Sequence, residues 1–399
     1  MSQRALASTP AGATVTPILA FVLALGCGAI AANLYYAQPL AAEIAADFAI
    51  PSTASGFVVT LTQIGYGLGL LFLVPLGDIV ENRRLVVITT LLAGCAMLLM
   101  ALTPSAAGFM LGALALGVTS TVVQILLPYS AHISPDAMRG RVIGILTSGL
   151  MAGIALARPL ASLVTASLGW HAVFVLSAIA MALMALILAT ARPRRRPQTT
   201  LRYASMLRSL PSLLRDIPVL RRRAAYHTML YASFSLFWIA VPLLLASDEF
   251  GLTQRGIGFF ALAGATGIVV APLAGWIADR GLMRSGTAGA MLAMLAAFAI
   301  TLIAGHLHSI ALLVLGAILV DAGLVVNFVL SQRAIYEPKP ESRSRIGSLF
   351  TAIFFCGGAT GSLVGSISFT AGGWPLTGGI GMALAIVALA LFGAERHSA

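Results

Sequence analysis

Long uncharged apolar stretches separated by short polar interruptions organise this chain. Residues 5–42 carry one apolar stretch after a polar tail, and 48–77, 224–247 and 256–278 carry one each. Residues 85–135 run for 51 residues without a charge and are broken only by Thr103-Pro104-Ser105, which predicts two helices and a tight turn. Residues 346–394 run for 49 and are broken by Gly372-Gly373-Trp374-Pro375, a second such pair. Residues 142–191 and 285–332 are also of pair length, and each holds a single charge, Arg158 and Asp321. Crossing a bilayer takes about 20 apolar residues, so four single stretches and four pairs predict an all-α membrane protein of twelve transmembrane helices.

Composition removes the soluble alternative. Charged residues make up 9% of the chain and hydrophobic ones 59%, against about 25% charged in a soluble domain. The three cysteines, Cys27, Cys95 and Cys356, each lie in an apolar run. An odd number without short spacing speaks against a disulfide framework or a zinc site, and small buried side chains are expected. His306-Leu307-His308 fits a turn between helices better than a metal pair, and no metal or cofactor is expected.

Charge sets the orientation. With the N-terminus inside, 22 of the 24 Lys and Arg residues fall on the cytoplasmic side, the exceptions being Arg158 and Arg255. This positive-inside asymmetry places both termini in the cytoplasm of a bacterial inner membrane. The net charge of +11 is therefore read as an orientation signal, and no nucleic-acid partner is expected. The first stretch is too long for a cleaved leader, and further stretches follow.

The longest polar segment, 192–223, begins Arg192-Pro193-Arg194-Arg195-Arg196 and ends Arg221-Arg222-Arg223. It separates an N-terminal unit, 1–191, from a C-terminal unit, 224–399. Tyr203, Met206, Leu207, Leu210, Leu213, Leu214 and Ile217 recur within it at helical spacing. A basic amphipathic helix on the inner membrane surface is expected, with a solvated linker as the alternative. The two units repeat: Arg139-x-Arg141 matches Arg343-x-Arg345 at an offset of 204 residues, and Asp78 and Arg83 match Asp279 and Arg284 at 201. Such repeats characterise transporters that rock two six-helix bundles about a midplane site.

Segment 74–84, Val-Pro-Leu-Gly-Asp-Ile-Val-Glu-Asn-Arg-Arg, resembles the loop 2–3 signature of the major facilitator superfamily, and Gly275-Trp-Ile-Ala-Asp279-Arg280 resembles its second copy. The first copy has Val74 in place of the leading Gly and Ile79 in place of a basic residue. The resemblance implies two pseudo-symmetric six-helix bundles. It also implies a conformational-switch role for Gly77, Asp78, Arg83 and Arg84, with Gly275, Asp279, Arg280 and Arg284 as their counterparts. Gly149-x-x-x-Gly153 followed by Ala157-Arg158-Pro159 resembles the span-five signature of drug/proton antiporters, with Arg158 where a Gly is usual. It implies helix packing through Gly149, Gly153 and Pro159, since small residues four apart let helices approach closely. Asn33-Leu-Tyr-Tyr36-Ala-Gln38-Pro39 and Gln63-Ile-Gly-Tyr66-Gly67 resemble a bacterial branch of the superfamily with poorly defined substrates.

Two charges fall within spans. Asp321 lies 12 residues before Arg333, near the expected midplane at about 1.5 Å per residue. A carboxylate there must be paired, hydrated or protonated, and desolvation favours its neutral form. That is the property of a proton-coupling carboxylate; a neutral packing residue is the alternative. Arg158 lies 17 residues beyond Arg141 and keeps its charge, so it needs an acceptor. Helix carbonyls, an anionic substrate and Asp321 are the candidates. Asn33, Gln63, Gln124 and Asn327 fall on spans that line the cavity in the resembled fold. With Tyr36 and Arg158 they are the candidate substrate-cavity residues, each with a helix-tying role as the alternative.

The chain has no Gly-x-x-x-x-Gly-Lys-Ser/Thr loop, so gradient coupling is expected in place of ATP. The leading expectation is proton-coupled export of a small organic molecule by a monomer embedded in the lipid bilayer. Import or uniport of an organic anion is the alternative. An intramembrane enzyme built on His227 and Asp321, and a non-transporting sensor, are remote readings.

Overall fold

The computed structural model describes residues 17–132, 134, 136–190, 203–339 and 342–395. The polar tail and the basic run Arg192–Arg196 lie outside them. Among the described residues every regular element is helical. Ten helices among them are long and apolar enough to cross a membrane. The longest, Arg343–Ala394, is two helices joined at Gly372 and Gly373. Gly373 has φ +62°, which an L side chain resists, and Pro375 follows. The chain therefore turns where the sequence predicts it. Counting its two arms separately, and adding the shorter apolar helix α1, Pro17–Ala32, gives twelve apolar helical segments among the described residues.

Several segments are broken in mid-course. After α1, residues 33–40 form tight turns before α2, Ala41–Asp47. Leu34 and Tyr35 bond back three residues, to Ala31 and Ala32, and Pro39 has no N–H with which to continue a helix. The next segment is α3, Phe57–Phe72, with short 3₁₀ turns at Ser52–Ala54 and Val74–Asp78. Then comes α4, Asn82–Leu102, followed by an interrupted segment made of α5, Ala106–Ser120, and α6, Val123–His132. The long α7, Asp136–Leu168, and α8, Trp170–Thr190, complete the first series. Pro159 lies inside α7 and deprives the Ala155 carbonyl of its helical donor.

The amphipathic α9, Tyr203–Asp216, forms where the spacing predicts a helix. Its apolar face, Met206 and Leu213, is buried against protein, packing on the Val74–Asp78 turn and on the helices Pro218–Ala246 and Arg343–Ala394. The face assigned to the membrane surface is thus turned to the helix ends. The second series is α10, Pro218–Ala246; α11, Gln254–Ala261, continued by a 3₁₀ turn at Leu262–Ala265 into α12, Thr266–Asp279; α13, Met283–Leu307; α14, Ile310–Tyr336; and α15, Arg343–Ala394. His308, at φ +50°, ends α13 in a left-handed turn.

Packing follows the same scheme twice. α1 packs on α7, α3 on α5, and α4 on α5 and α8; α10 packs on α15, α12 on α14, and α13 on α14 and α15. The α1–α7 contact is made by glycines. A Cβ on Gly153 would meet the backbone of Gly28, and one on Gly149 the backbone of Ala24. The two series meet where α3 packs on α15 and where α7 packs on α11 and α12. There Thr60 Oγ1 donates to the Ala359 carbonyl at 3.1 Å and lies 2.9 Å from Ser362 Oγ.

Cys27 is buried as expected, but Cys95 and Cys356 are exposed. In a membrane protein the lipid-facing surface is as apolar as the core, so an apolar run does not tell the two apart.

Candidate functional site

Arg158 is the centre of the site. Proline at 159 fixes the local α7 backbone, and the side chain leaves α7 to lie fully buried, 1% exposed. Its Nε donates to Gln38 Oε1 at 2.7 Å. Gln38 is in the tight turns after α1 and is itself buried. The guanidinium carbon is 4.2 Å from the ring centroid of Trp238, 5.0 Å from Phe234 and 5.1 Å from Tyr35. Each desolvated contact of this kind stabilises by up to about 2 kcal/mol, so three aromatic rings take the place of water around the charge.

Trp238 carries the contact onward. It lies on α10, in the second series, and its Nε1 donates to Asp321 Oδ2 on α14 at 3.0 Å. Asp321 is the one buried acid among the described residues. It forms no ion pair with Arg158 within 4.0 Å among the described residues, so that candidate acceptor is not the one used. The indole thus contacts the cation through its face and the acid through its N–H. Gly264, in the 3₁₀ turn between α11 and α12, makes room for this arrangement: a Cβ there would come within 3.0 Å of the Trp238 ring and 3.3 Å of Arg158 Nη1.

The remaining candidates lie around this centre. Gln63 on α3 donates to Ser235 Oγ on α10 at 3.2 Å, crossing between the two series. Gln124 donates to the Tyr66 hydroxyl at 3.2 Å, and the Tyr66 ring sits 4.5 Å from Phe355. Asn327 is fully buried and its Oδ1 lies 2.8 Å from His227 Nδ1. His227 stacks on Phe350 and meets Phe354 edge to face. Asn33 donates to the Met181 sulfur at 3.5 Å. Tyr36 is half-buried, and it is its neighbour Tyr35 that faces the Arg158 guanidinium. The hydrogen bonds of Asn33, Gln124 and Asn327 therefore fall to residues other than Arg158 and Asp321.

The charged turns lie away from the centre. Asp279, at the end of α12, pairs with Arg333 near the end of α14, and both side chains are largely exposed. Arg280 stacks on Trp276 at 4.0 Å, and Arg284 lies over Phe392. Arg84 approaches Glu81 at 4.0 Å, and Glu81 caps α4 by accepting from the Arg83 backbone N–H. Gly77 faces Ile125, while a Cβ on Gly275 would meet nothing within 4 Å among the described residues. Asp78 and Arg345 line one small pocket with Leu210 of α9. α9 ties both series at this end: Tyr203 donates to the Phe72 carbonyl at 2.7 Å, and Arg345 donates to Ser209 at 2.9 Å.

Two partners in this arrangement carry no expectation from the sequence, Gln38 and Trp238. Gln38 is in the motif around Pro39, and Trp238 precedes Pro242 in an aromatic cluster. The available signal was depth: Gln38 and Arg158 both lie toward the same end of their spans.

Known proteins with the same pattern are membrane transporters. An Escherichia coli O157:H7 protein named "Uncharacterized transporter YgaY" is 38% identical over 376 residues, covering 94% of each chain. The human organic anion transporter MFSD10 (TETRAN) superposes with a TM-score of 0.65 at 18% identity, over 94% of this chain and 100% of that one. A mutant form of the nucleoside transporter NupG gives a TM-score of 0.74 at 13% identity, over 95% and 99%. At these identities the two structures speak to the fold alone. The family model described as Major Facilitator Superfamily matches residues 18–304 and 224–399, and the chain belongs to that superfamily of membrane transporters.

Proposed function

We propose that this transporter is a proton-coupled secondary carrier of a small organic molecule, working by alternating access, with Asp321 as the proton carrier. The observation that supports this reading is the bridge from Asp321 through Trp238 to Arg158. It links an acid on α14 to a cation on α7, so a change of charge at Asp321 acts on the contact between the two helix series. Units 1–191 and 224–399 move as the two bundles, joined by 192–223, with both termini in the cytoplasm of a bacterial inner membrane. The basic residues at the helix ends support that orientation. Gly77, Asp78, Arg83 and Arg84, with Gly275, Asp279, Arg280 and Arg284, govern closure at the linker end. Their distance from the buried centre supports a switching role over a binding one.

Export is the direction implied by the resemblance of Gly149, Gly153 and Pro159 to the antiporter signature. A second reading, uptake of an organic anion together with a proton, is favoured by the buried Arg158 Nη2, which has no acceptor among the described residues. Reconstituted protein with an imposed proton gradient tests the proposal. Accumulation of a metabolite or drug from a screened panel, abolished by a protonophore, is the expected result. Accumulation indifferent to the gradient and the protonophore contradicts it.

A further inference from the structure

Arg158 and Gln38 have donors left over. The guanidinium has five N–H groups and accepts nothing. Its Nε is satisfied by Gln38 Oε1, but Nη2 is buried without a partner among the described residues. Because arginine only donates, the Gln38 amide must present its oxygen to Arg158, which fixes the amide orientation by chemistry. Its Nε2 is then also a donor, and it too is buried without a partner among the described residues. The two unpaired donors belong to the two groups that this 2.7 Å hydrogen bond joins.

A buried donor without an acceptor is unfavourable, and a charged one more so. Asp321 does not supply the acceptor, since its Oδ2 accepts from Trp238 and it lies beyond ion-pair distance of Arg158. The surroundings define what does. One positive charge and a neutral amide, each with a donor to give, suit a monoanion that offers two acceptor oxygens, and charge-assisted hydrogen bonds of this kind are strong. A cationic head group is repelled. The rings of Tyr35, Phe234 and Trp238, at 5.1, 5.0 and 4.2 Å from the guanidinium carbon, make the surroundings of that head group aromatic and apolar.

We propose that Arg158 Nη2 and Gln38 Nε2 form the head-group site for a carboxylate substrate, with Tyr35, Phe234 and Trp238 holding its aromatic or planar apolar body. This rests on the transport reading above, but not on how transport is coupled. It makes Gln38 a binding residue and narrows the substrate to aromatic carboxylates.

Purified full-length protein in detergent tests the site by thermal shift. The probes are benzoate and 1-naphthoate, with 1-naphthamide as the neutral counterpart and 1-naphthylmethylamine as the cationic one. The carboxylates are expected to raise Tm in a saturable way, and the amide and amine are not. Arg158→Lys should weaken carboxylate binding roughly tenfold or more, because both the free planar Nη2 donor and the Nε contact that orients Gln38 are lost. Gln38→Glu gives a readout that does not depend on the choice of probe. It supplies an anion within the protein, so it should raise the Tm of the unliganded chain and abolish the response to carboxylates. Equal shifts with 1-naphthoate and 1-naphthamide, no shift with either carboxylate, or a Gln38→Glu protein that is no more stable than wild type would overturn the proposal. Asp321→Asn should still bind 1-naphthoate. Intact binding with lost proton-driven accumulation concerns the coupling reading alone, and lost discrimination with intact proton-driven transport concerns this site alone.

Discussion

Trp238 donates its indole N–H to Asp321 at 3.0 Å while the face of the same ring lies 4.2 Å from Arg158. A single side chain from α10 thus touches both a cation of α7 and an acid of α14. The two charges form no ion pair within 4.0 Å among the described residues, and both contact the same indole.

The two functions of the indole can be separated. Trp238→Phe keeps a ring beneath Arg158 and removes the donor to Asp321. A hydrogen bond to a charged group contributes about 1.5–3 kcal/mol, so driven transport should fall about tenfold or more while the protein still folds. Trp238→Ala also empties a fully buried site, and a loss of about 3–5 kcal/mol of stability is expected. Driven transport in proteoliposomes beside melting in detergent distinguishes these. Equal behaviour of the two variants in both assays would contradict the assignment.

The α1–α7 contact predicts a stability effect without a transport signature of its own. Gly153→Val brings a side chain against the Gly28 backbone and should destabilise by about 1–3 kcal/mol through overpacking. Gly275→Ala meets nothing within 4 Å among the described residues and should leave the melting temperature unchanged or slightly raised. Melting of the two variants side by side checks this; a stable Gly153→Val protein is the contrary result.

The Asp279–Arg333 pair is largely exposed, and such pairs contribute at most about 1 kcal/mol. Asp279→Asn should therefore leave melting nearly unchanged. Asp78→Asn and Asp279→Asn are both expected to slow turnover while substrate affinity in detergent stays close to wild type. A large loss of affinity with normal turnover at saturation would place these residues in binding instead.

Asn327 and His227 share a hydrogen bond across α14 and α10. Asn327→Ala leaves the buried imidazole without that partner, and a loss of about 1–3 kcal/mol is expected. Asn327→Asp restores an acceptor and should recover much of it. Thermal melting of both variants decides the point.

The helices were legible because hydrocarbon excludes charge: the long stretches are uncharged except at Arg158 and Asp321, and Gly372-Gly373 marks the turn inside α15. The break after Ala32 was not legible, since residues 33–40 continue the uncharged run and only Pro39 marks it. Arg158 and Asp321 stood out as charges among apolar neighbours. Gln38 and Trp238 did not, because a glutamine near a span end and a tryptophan in an aromatic cluster have common structural explanations. Their roles depend on which helices meet, and that is set by small residues such as Gly28, Gly153 and Gly264 rather than by hydropathy. Cys95 and Cys356 show the same limit from the outside: lipid and protein core read alike.

The proton role of Asp321 is tested most directly by comparing two modes of transport in one preparation. Wild-type and Asp321→Asn proteins are reconstituted into matched proteoliposomes. Gradient-driven accumulation and substrate counterflow are then measured in parallel for a substrate found by the screen. Asp321→Asn is expected to abolish gradient-driven accumulation while counterflow persists, because the asparagine can accept from Trp238 but cannot carry a proton. Full gradient-driven accumulation in the Asp321→Asn protein would contradict it.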